Sequence, residues 1–532
     1  MTKITCLKSS RYAVILFVLG LIFLIGRRQL IESTWVPMGA DWDSWLQSAV
    51  SIRFGGSYPM VRWPLYGAVV AIVDFILPTP LHISAQILSM AATVGSAVGV
   101  FWVFSSGLNS PKWGVVGWFV TIMFPLNLCF SDWCSSYALW GCSCVWTVIC
   151  LFELYRRQKW QWAIGAGFGS VFSLAIMAKG LVLGLFFILF SVVVLLISKG
   201  HKVKSTIAFC LPLALLFSLY AGFPHSLKSL DAHVASVDFA RDRPLVDKHI
   251  YDPTQDPHAY GSKGYVFGQS MSFDKISDAL QSSANSLSPE KRKQNFHRSR
   301  QIIQTAFPKL KNWVFVYIAL GWLSLMILLR RQWILWCGFA AVIISVLPSV
   351  FVEFNMRFLI PGTAVLSVFW VAPFALLSRH IKAVWGQALL VGSFSFLCYI
   401  SPYSDYRATS EWLDPLLVRG KQGIWLESKL PEGTINVVAP PSIGVPISGS
   451  RGGNLIVPGS SKLDEPFKIP SDEFVLLWID FPAWAPTGEE FTISPMMPPF
   501  PDGLTNLEGR MVLEHHPLFQ GGAGVALLGE LQ

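Results

Sequence analysis

From residue 12 to residue 400 the chain repeats one pattern, an apolar run of membrane length followed by a short polar connector. The runs cover about 12–26, 82–107, 113–130, 134–153, 161–178, 181–198, 205–222, 312–329, 332–351, 358–378 and 383–400. That predicts about 11 transmembrane helices of roughly 20 residues, the length that crosses a hydrocarbon core of ~30 Å. Residues 64–78 are also apolar but lie between Pro64 and Pro78 and are too short to span comfortably. They predict a juxtamembrane or re-entrant helix, and counting them as a span would invert everything after them. After residue 401 charges, prolines and glycines spread among short apolar runs. There, 416–430 fits an amphipathic helix stopped by Pro431-Glu432-Gly433, and Ile435–Ala439, Phe474–Ile479, Met511–Glu514 and Gly524–Leu528 read as strands. The predicted fold class is an α-helical polytopic membrane protein with a C-terminal small α/β extracytoplasmic domain. Residues 1–401 form the transmembrane domain, including a first outer loop with juxtamembrane helices (27–81) and a large outer loop (223–311), and 402–532 form the soluble domain.

Composition agrees with the pattern. Of 532 residues, 53% are hydrophobic and 14% charged, with mean hydropathy +0.50, whereas soluble domains carry roughly 25% charged residues. A single soluble enzyme is excluded. The net charge of +9 could suit a nucleic-acid binder, but such proteins cluster their cations on one soluble face. Here Lys112, Arg156, Arg157, Lys159, Lys199, Lys202, Lys204, Arg330, Arg331, Arg379 and Lys382 lie in short connectors without Asp or Glu. This is the positive-inside pattern, so the charge reports orientation and no nucleic-acid partner is implied. No small-residue cleavage site follows the first run, which predicts a retained anchor. The expected location is the inner (plasma) membrane, multi-pass, with the N-terminus cytoplasmic and the C-terminal domain outside. Arg27-Arg28, at the outer end of the first run, alone breaks the charge rule. The nine cysteines imply no disulfide framework. Cys142 and Cys144 read as small hydrophobes, and Cys129 and Cys134 could pair if their turn faces an oxidising space.

The same parity gathers the chemically suggestive positions on the outer side. Asp41 and Asp43 open a helix just after the first span, where a carboxylate can act as a general base or hold a divalent metal, or can simply cap the helix. Asp132 lies in a short turn, Arg62 precedes Trp63-Pro64-Leu65-Tyr66, and Lys179 interrupts two apolar runs in Ala178-Lys179-Gly180. That lysine either marks the span boundary or has a function there. Arg357 precedes a late span and can hold a phosphate bidentately, or it can pair with Glu353 one helical turn earlier. The large loop holds His225, His233, His249 and His258 among several aspartates and ends in a basic amphipathic stretch, Lys291–Lys311, that suits a helix on the membrane surface.

In order, Asp41 with Trp45 four residues on, Pro64-Leu65-Tyr66, Asp132, Ala178-Lys179-Gly180, Arg357-Phe358 with Pro361, and Trp425-Leu426 with Leu430-Pro431-Glu432-Gly433 resemble a family over about the whole chain. They look like the motifs of the polyprenyl-phosphate-sugar-dependent glycosyltransferases of the C superfamily, which include protein O-mannosyltransferases and the lipid A aminoarabinose transferase. Trp42 stands where that family has a second acid, and Trp45 where it has a tyrosine. The resemblance implies an inverting transfer of a sugar from a polyprenyl-phosphate carrier to an acceptor hydroxyl on a lipid, glycan or protein. It implies catalytic roles for Asp41, Asp132 and Asp43, donor-phosphate binding by Lys179, Arg357 and Arg62, and substrate positioning by Trp45, Tyr66 and Glu353. No cofactor is required by the pattern, although a divalent metal bridging the aspartates to phosphate is a candidate. The rival readings are an O-antigen ligase- or polymerase-like enzyme with a lipid diphosphate donor, and a non-enzymatic envelope transporter or scaffold.

Overall fold

The computed structural model describes residues 3–31, 35, 37, 42–54, 64–176, 180–198, 200, 202–222, 313–352, 360–378, 414–430, 432–438, 441–453, 455–456, 474–481, 507–511 and 523–531. In chain order these form α1 (Lys3–Ile31), α2 (Trp42–Phe54), α3 (Pro64–Ile76), α4 (Leu81–Trp102), α5 (Pro111–Met123), α6 (Pro125–Phe130), α7 (Tyr137–Arg157), α8 (Trp160–Ala175), α9 (Gly180–Ile197) and α10 (Lys202–Gly222). They continue with α11 (Trp313–Leu328), α12 (Trp333–Val352), α13 (Thr363–Leu377), α14 (Asp414–Glu427), β1 (Ile435–Val438), α15 (Pro441–Arg451), β2 (Leu455–Ile456), β3 (Phe474–Phe481), β4 (Leu507–Met511) and β5 (Ala523–Leu531). Packing divides the chain into two compact units, Met1–Thr34 with Gln86–Gly222 and Leu287–Ser410, and Trp35–Ala85 with Phe223–Ser286 and Glu411–Gln532.

The described part of the first unit is helical. Every apolar run from 12–26 to 358–378 coincides with a helix or helix pair, while 383–400 lies outside the described residues. Among the described residues four stretches, Arg11–Leu30, Leu81–Gly107, Tyr137–Arg157 and Ile360–Leu377, are long and apolar enough to cross a membrane. Val14, Ile22, Leu189, Leu196 and Leu211 point outward from α1, α9 and α10; apolar faces turned outward on successive helices suit a lipid solvent. The single run expected over 113–130 is two helices. Phe124 leaves the helical region (φ −57°, ψ 128°), as a residue before proline is disposed to do, and Pro125 opens the next helix.

At the centre stands α7, packed on α8 and α12. Cys144 and Cys150 are buried and Cys142 half-buried, all free thiols, with Cys144 Sγ 3.7 Å from Ser173 Oγ on α8. Near its C-terminal end Glu153 is fully buried. Its carboxylate accepts hydrogen bonds from Arg156 at 2.8 Å and from Trp102 Nε1 at 2.9 Å, with Arg157 also paired, and Arg156 reaches on to the Ser106 carbonyl. The basic end of α7 is thus tied into the helix ends around it rather than merely solvated.

In the second unit α2 and α3 pack together, and α2 also packs on α15. Five strands form one sheet in the order β2-β1-β3-β5-β4. β1 pairs in parallel with β2 and β3, joined to β2 through the crossover helix α15, and β5 pairs antiparallel with β3 and β4. Leu426 in α14, Ile443, Val445 and Ile447 in α15, and Leu430 just after α14, are buried. Of the strand expected at Met511–Glu514 only Met511 is among the described residues, where it is the last residue of β4 and pairs with Leu527 of β5, while 512–514 lie outside them.

Candidate functional site

Three widely separated sequence motifs meet at the N-terminal end of α7, all within the first unit. The turn that enters this helix, Ser131–Ser136, is held from several sides. Ser89 Oγ donates to the Trp133 carbonyl at 2.5 Å, the Phe130 and Trp133 rings meet edge to face at 4.4 Å, and the Asp132 carboxylate lies 3.3 Å from Arg28 Nε. Both members of that ion pair are buried, so the arginine that breaks the charge rule in the sequence is a charge partner placed inside the fold. Cys134 is buried, and the side chain of Cys129, its expected candidate partner, lies outside the described residues.

The start of α13 is anchored to the same region. Thr363 Oγ1 donates to Asn127 Oδ1 at 2.6 Å, and Asn127 Nδ2 donates to the Thr121 carbonyl at 2.6 Å, which closes the break between α5 and α6. Gly141, on the second turn of α7, lets the chain at Ile360-Pro361 come close: a Cβ there would stand 2.9 Å from Pro361 Cα. One residue earlier Trp140 faces the start of α9, where a Cβ on Gly180 would meet its Nε1 at 3.4 Å and collide with the Ser173 carbonyl. Glycine is required at 141 and 180 by close approach alone. Gly180 directly follows Lys179, and Pro361 follows Arg357 by four residues. The described ends of both motifs therefore flank α7 one residue apart, beside the Asp132 turn.

Trp45 and Tyr66 belong to the second unit. Both are buried and meet edge to face, with centroids 5.6 Å apart. Trp42 is buried as well, and Gly420 of α14 packs on it, a Cβ there lying 3.3 Å from Trp42 Cζ2. The position that departs from the family's second acid is thus a packing position between α2 and α14. His82 Nε2 lies 2.9 Å from the Trp35 carbonyl. Arg53 Nε donates to Asp74 Oδ2 at 3.0 Å, joining α2 to α3. Burial raises the pKa of Asp74 above its ordinary value, and the Arg53 guanidinium opposes that rise.

Asp41, Arg62, Lys179, Glu353, Arg357 and the loop 223–311 with its histidines and basic stretch lie outside the described residues, and of Asp43 only the helical backbone is described. Among the described residues no three His, Cys, Asp or Glu side chains gather as a metal site. Sequence reasoning passed over Arg28, Ser131, Ser136 and Trp140. The two serine hydroxyls and the indole N–H are buried without a hydrogen-bond partner among the described residues. Only the misplaced charge at Arg28 signalled any of them.

No family model matches the chain, and no curated protein does. Among solved structures it is similar to an archaeal oligosaccharyltransferase, AglB from Archaeoglobus fulgidus, in complex with an inhibitory peptide and a dolichol-phosphate. The identity is 14% and the TM-score 0.46, over 84% of this chain and 64% of that one. The chain therefore spans less than two thirds of that protein's length.

Proposed function

We propose that this chain is an integral membrane glycosyltransferase that moves a sugar from a polyprenyl-phosphate carrier to an acceptor hydroxyl, with inversion, on the outer face of the membrane. The observation that carries the reading is the meeting of Asp132, Gly180 and Pro361 around the first turns of α7. Positions 48 and 181 residues apart, by subtraction, thus meet at one helix end, and Lys179 and Arg357 precede two of them by one and four residues in the sequence, which supports placing both cations on one donor phosphate.

The mechanism is a single displacement. Asp41 takes the proton of the acceptor hydroxyl as its oxygen attacks the anomeric carbon, the bond from that carbon to the carrier's phosphate oxygen breaks, and the carrier phosphate leaves with the electron pair. Lys179, Arg357 and Arg62 offset the charge that grows on it, as cations placed at developing charge do. Asp132, fixed by Arg28, orients the groups beside α7. Asp43 is the second candidate base, and no step is assigned to a metal. The test is an assay of the purified protein with a panel of polyprenyl-phosphate sugars, reading release of free carrier phosphate. Release with at least one donor is expected; release only from lipid diphosphate sugars would replace this reading with the ligase-like one.

A further inference from the structure

We propose that the joined α7–α8 and α9–α10 turns bind an anionic phospholipid, with its phosphodiester between Lys159, Lys202 and Lys204 and its acyl chains on the adjoining ends of α9 and α10. The two turns are in contact. The Gly200 N–H donates to Gln158 Oε1 at 2.7 Å, and a Cβ on Gly200 would stand 2.9 Å from Gln158 Cβ. Lys159 directly follows one of these residues and Lys202 follows the other by two, so their cations share one end of the first unit. Lys159, Lys202 and Lys204 are exposed, and the connectors 156–160 and 198–204 hold no Asp or Glu. Glu153, the acid nearest to Lys159 in the sequence, is fully buried and already bound by Arg156, Arg157 and Trp102. Its charge is met by two guanidiniums inside the fold.

Orientation in a membrane requires only that cations lie in these connectors; two further features point to a bound anion with apolar tails. The first is where the cations sit on their helices. Lys159 stands immediately before α8, and Lys202 and Lys204 fall in the first turn of α10, the ends at which a helix dipole is positive and a cation is unfavourable. No side chain caps α8 there, so its leading N–H groups and the lysines call for the same partner, a negative group. The second is the apolar surface beside them. Val203 is 73% exposed between the two lysines, and Leu196, Ile197 and Ile207 are exposed on the same two helix ends. Lys202 Nζ donates to the Leu196 carbonyl at 3.0 Å and draws α10 onto α9. Cations beside exposed aliphatic side chains match an amphiphile, whereas a soluble anion would use only half of the surface. Trp160, exposed beside Lys159, suits the headgroup level. The 21 residues of α7 separate this end from the Asp132 turn by ~30 Å at ~1.5 Å per residue, about the thickness of a hydrocarbon core. The lipid therefore belongs to the other leaflet, and the inference does not rest on the glycosyl-transfer reading.

The test is equilibrium binding of radiolabelled phosphatidylglycerol and phosphatidylcholine, with matched acyl chains, to the full-length protein in detergent. Saturable binding of phosphatidylglycerol over phosphatidylcholine is expected, weakening as salt rises. Lys159→Gln, and separately Lys202→Gln with Lys204→Gln, should weaken it by about fivefold for each cation removed and leave phosphatidylcholine binding unchanged. Lys421→Gln with Lys429→Gln removes two cations from the second unit and should change neither. Glycerophosphoglycerol, the headgroup without its chains, should displace the lipid poorly. Where one variant fails to elute as a folded protein, the other decides. Equal binding of the two lipids by wild type, full phosphatidylglycerol binding in a folded variant, or an equal loss in the Lys421–Lys429 control would overturn the site. Displacement by glycerophosphoglycerol as effective as by the whole lipid would overturn the lipid and leave a soluble anion in its place.

Discussion

A buried guanidinium beside a buried carboxylate is costly to break from one side, because the charge left behind loses its partner without regaining water. Arg28→Gln should therefore destabilise the protein by about 3–5 kcal/mol, read as a lowered unfolding midpoint in detergent. Asp132→Asn should cost a comparable amount, and the double variant less than the sum of the two. Additive losses would show that the two charges do not interact. Asp74 makes a different prediction. Its raised pKa means that the folded chain holds this proton more tightly than the unfolded chain does. The stability from that proton is complete below the ordinary value of 3.8 and is lost as pH rises through the folded value. Asp74→Asn imitates the protonated form, so its midpoint should fall less steeply with rising pH across that window than that of wild type; parallel curves would mean that burial at Asp74 has no thermodynamic weight. For the proposed donor site, Arg357→Lys keeps the charge and loses the planar fork. A fall mainly in kcat would place the contact in the transition state, and a rise mainly in KM would make it uniform binding. If Arg357 only anchors a helix end through Glu353, then Glu353→Gln should be as harmful and act through protein yield.

At the scale of elements, α7 is the part on which the proposed site depends, and Gly141 is where it meets the backbone at Pro361. A methyl group there meets backbone at Pro361, which cannot swing aside as the tip of a long side chain could. Gly141→Ala should therefore cost about 1–3 kcal/mol as overpacking and, by displacing the start of α13, raise the donor KM in the carrier-release assay. Full stability with unchanged KM would mean that α13 can shift without consequence. The helices themselves were legible, since a run of apolar residues of this length has few other uses in a chain with 14% charged residues. The break between α5 and α6 could be read only at Pro125, and apolarity alone hid it. Ser136 and Trp140 were not legible, because a serine and a tryptophan in an apolar helix read as ordinary packing residues. What sets them apart is the lack of a hydrogen-bond partner among the described residues, a property of the folded neighbourhood and not of residue type. Trp42 shows the converse: its departure from a motif was visible, but its place against Gly420 needed the tail to be folded beside it.

At the scale of the whole molecule the open question is orientation, and it turns on α3. If α3 crosses the membrane, every later loop changes side. The helix has 13 residues and reaches ~20 Å at ~1.5 Å per residue against a core of ~30 Å, whereas α5, of the same length, runs on into α6. Ile72, Phe75 and Ile76 are exposed on it, while Asp74 is buried and paired with Arg53. A helix too short to span, apolar outside and tied to its neighbour by an ion pair, suits the surface of a bilayer. With α3 excluded, and with 383–400 counted as a span, an odd number of crossings separates the N-terminus from the loop 223–311 and again from the tail. Reporter fusions after residue 260 and after residue 450 should therefore both score on the side opposite the N-terminus. If both score on its own side, α3 spans after all and the proposed carboxylates and cations cannot share one face. If only the fusion after residue 450 scores there, the number of crossings between α10 and the tail is odd, and the segment to re-examine is 383–400.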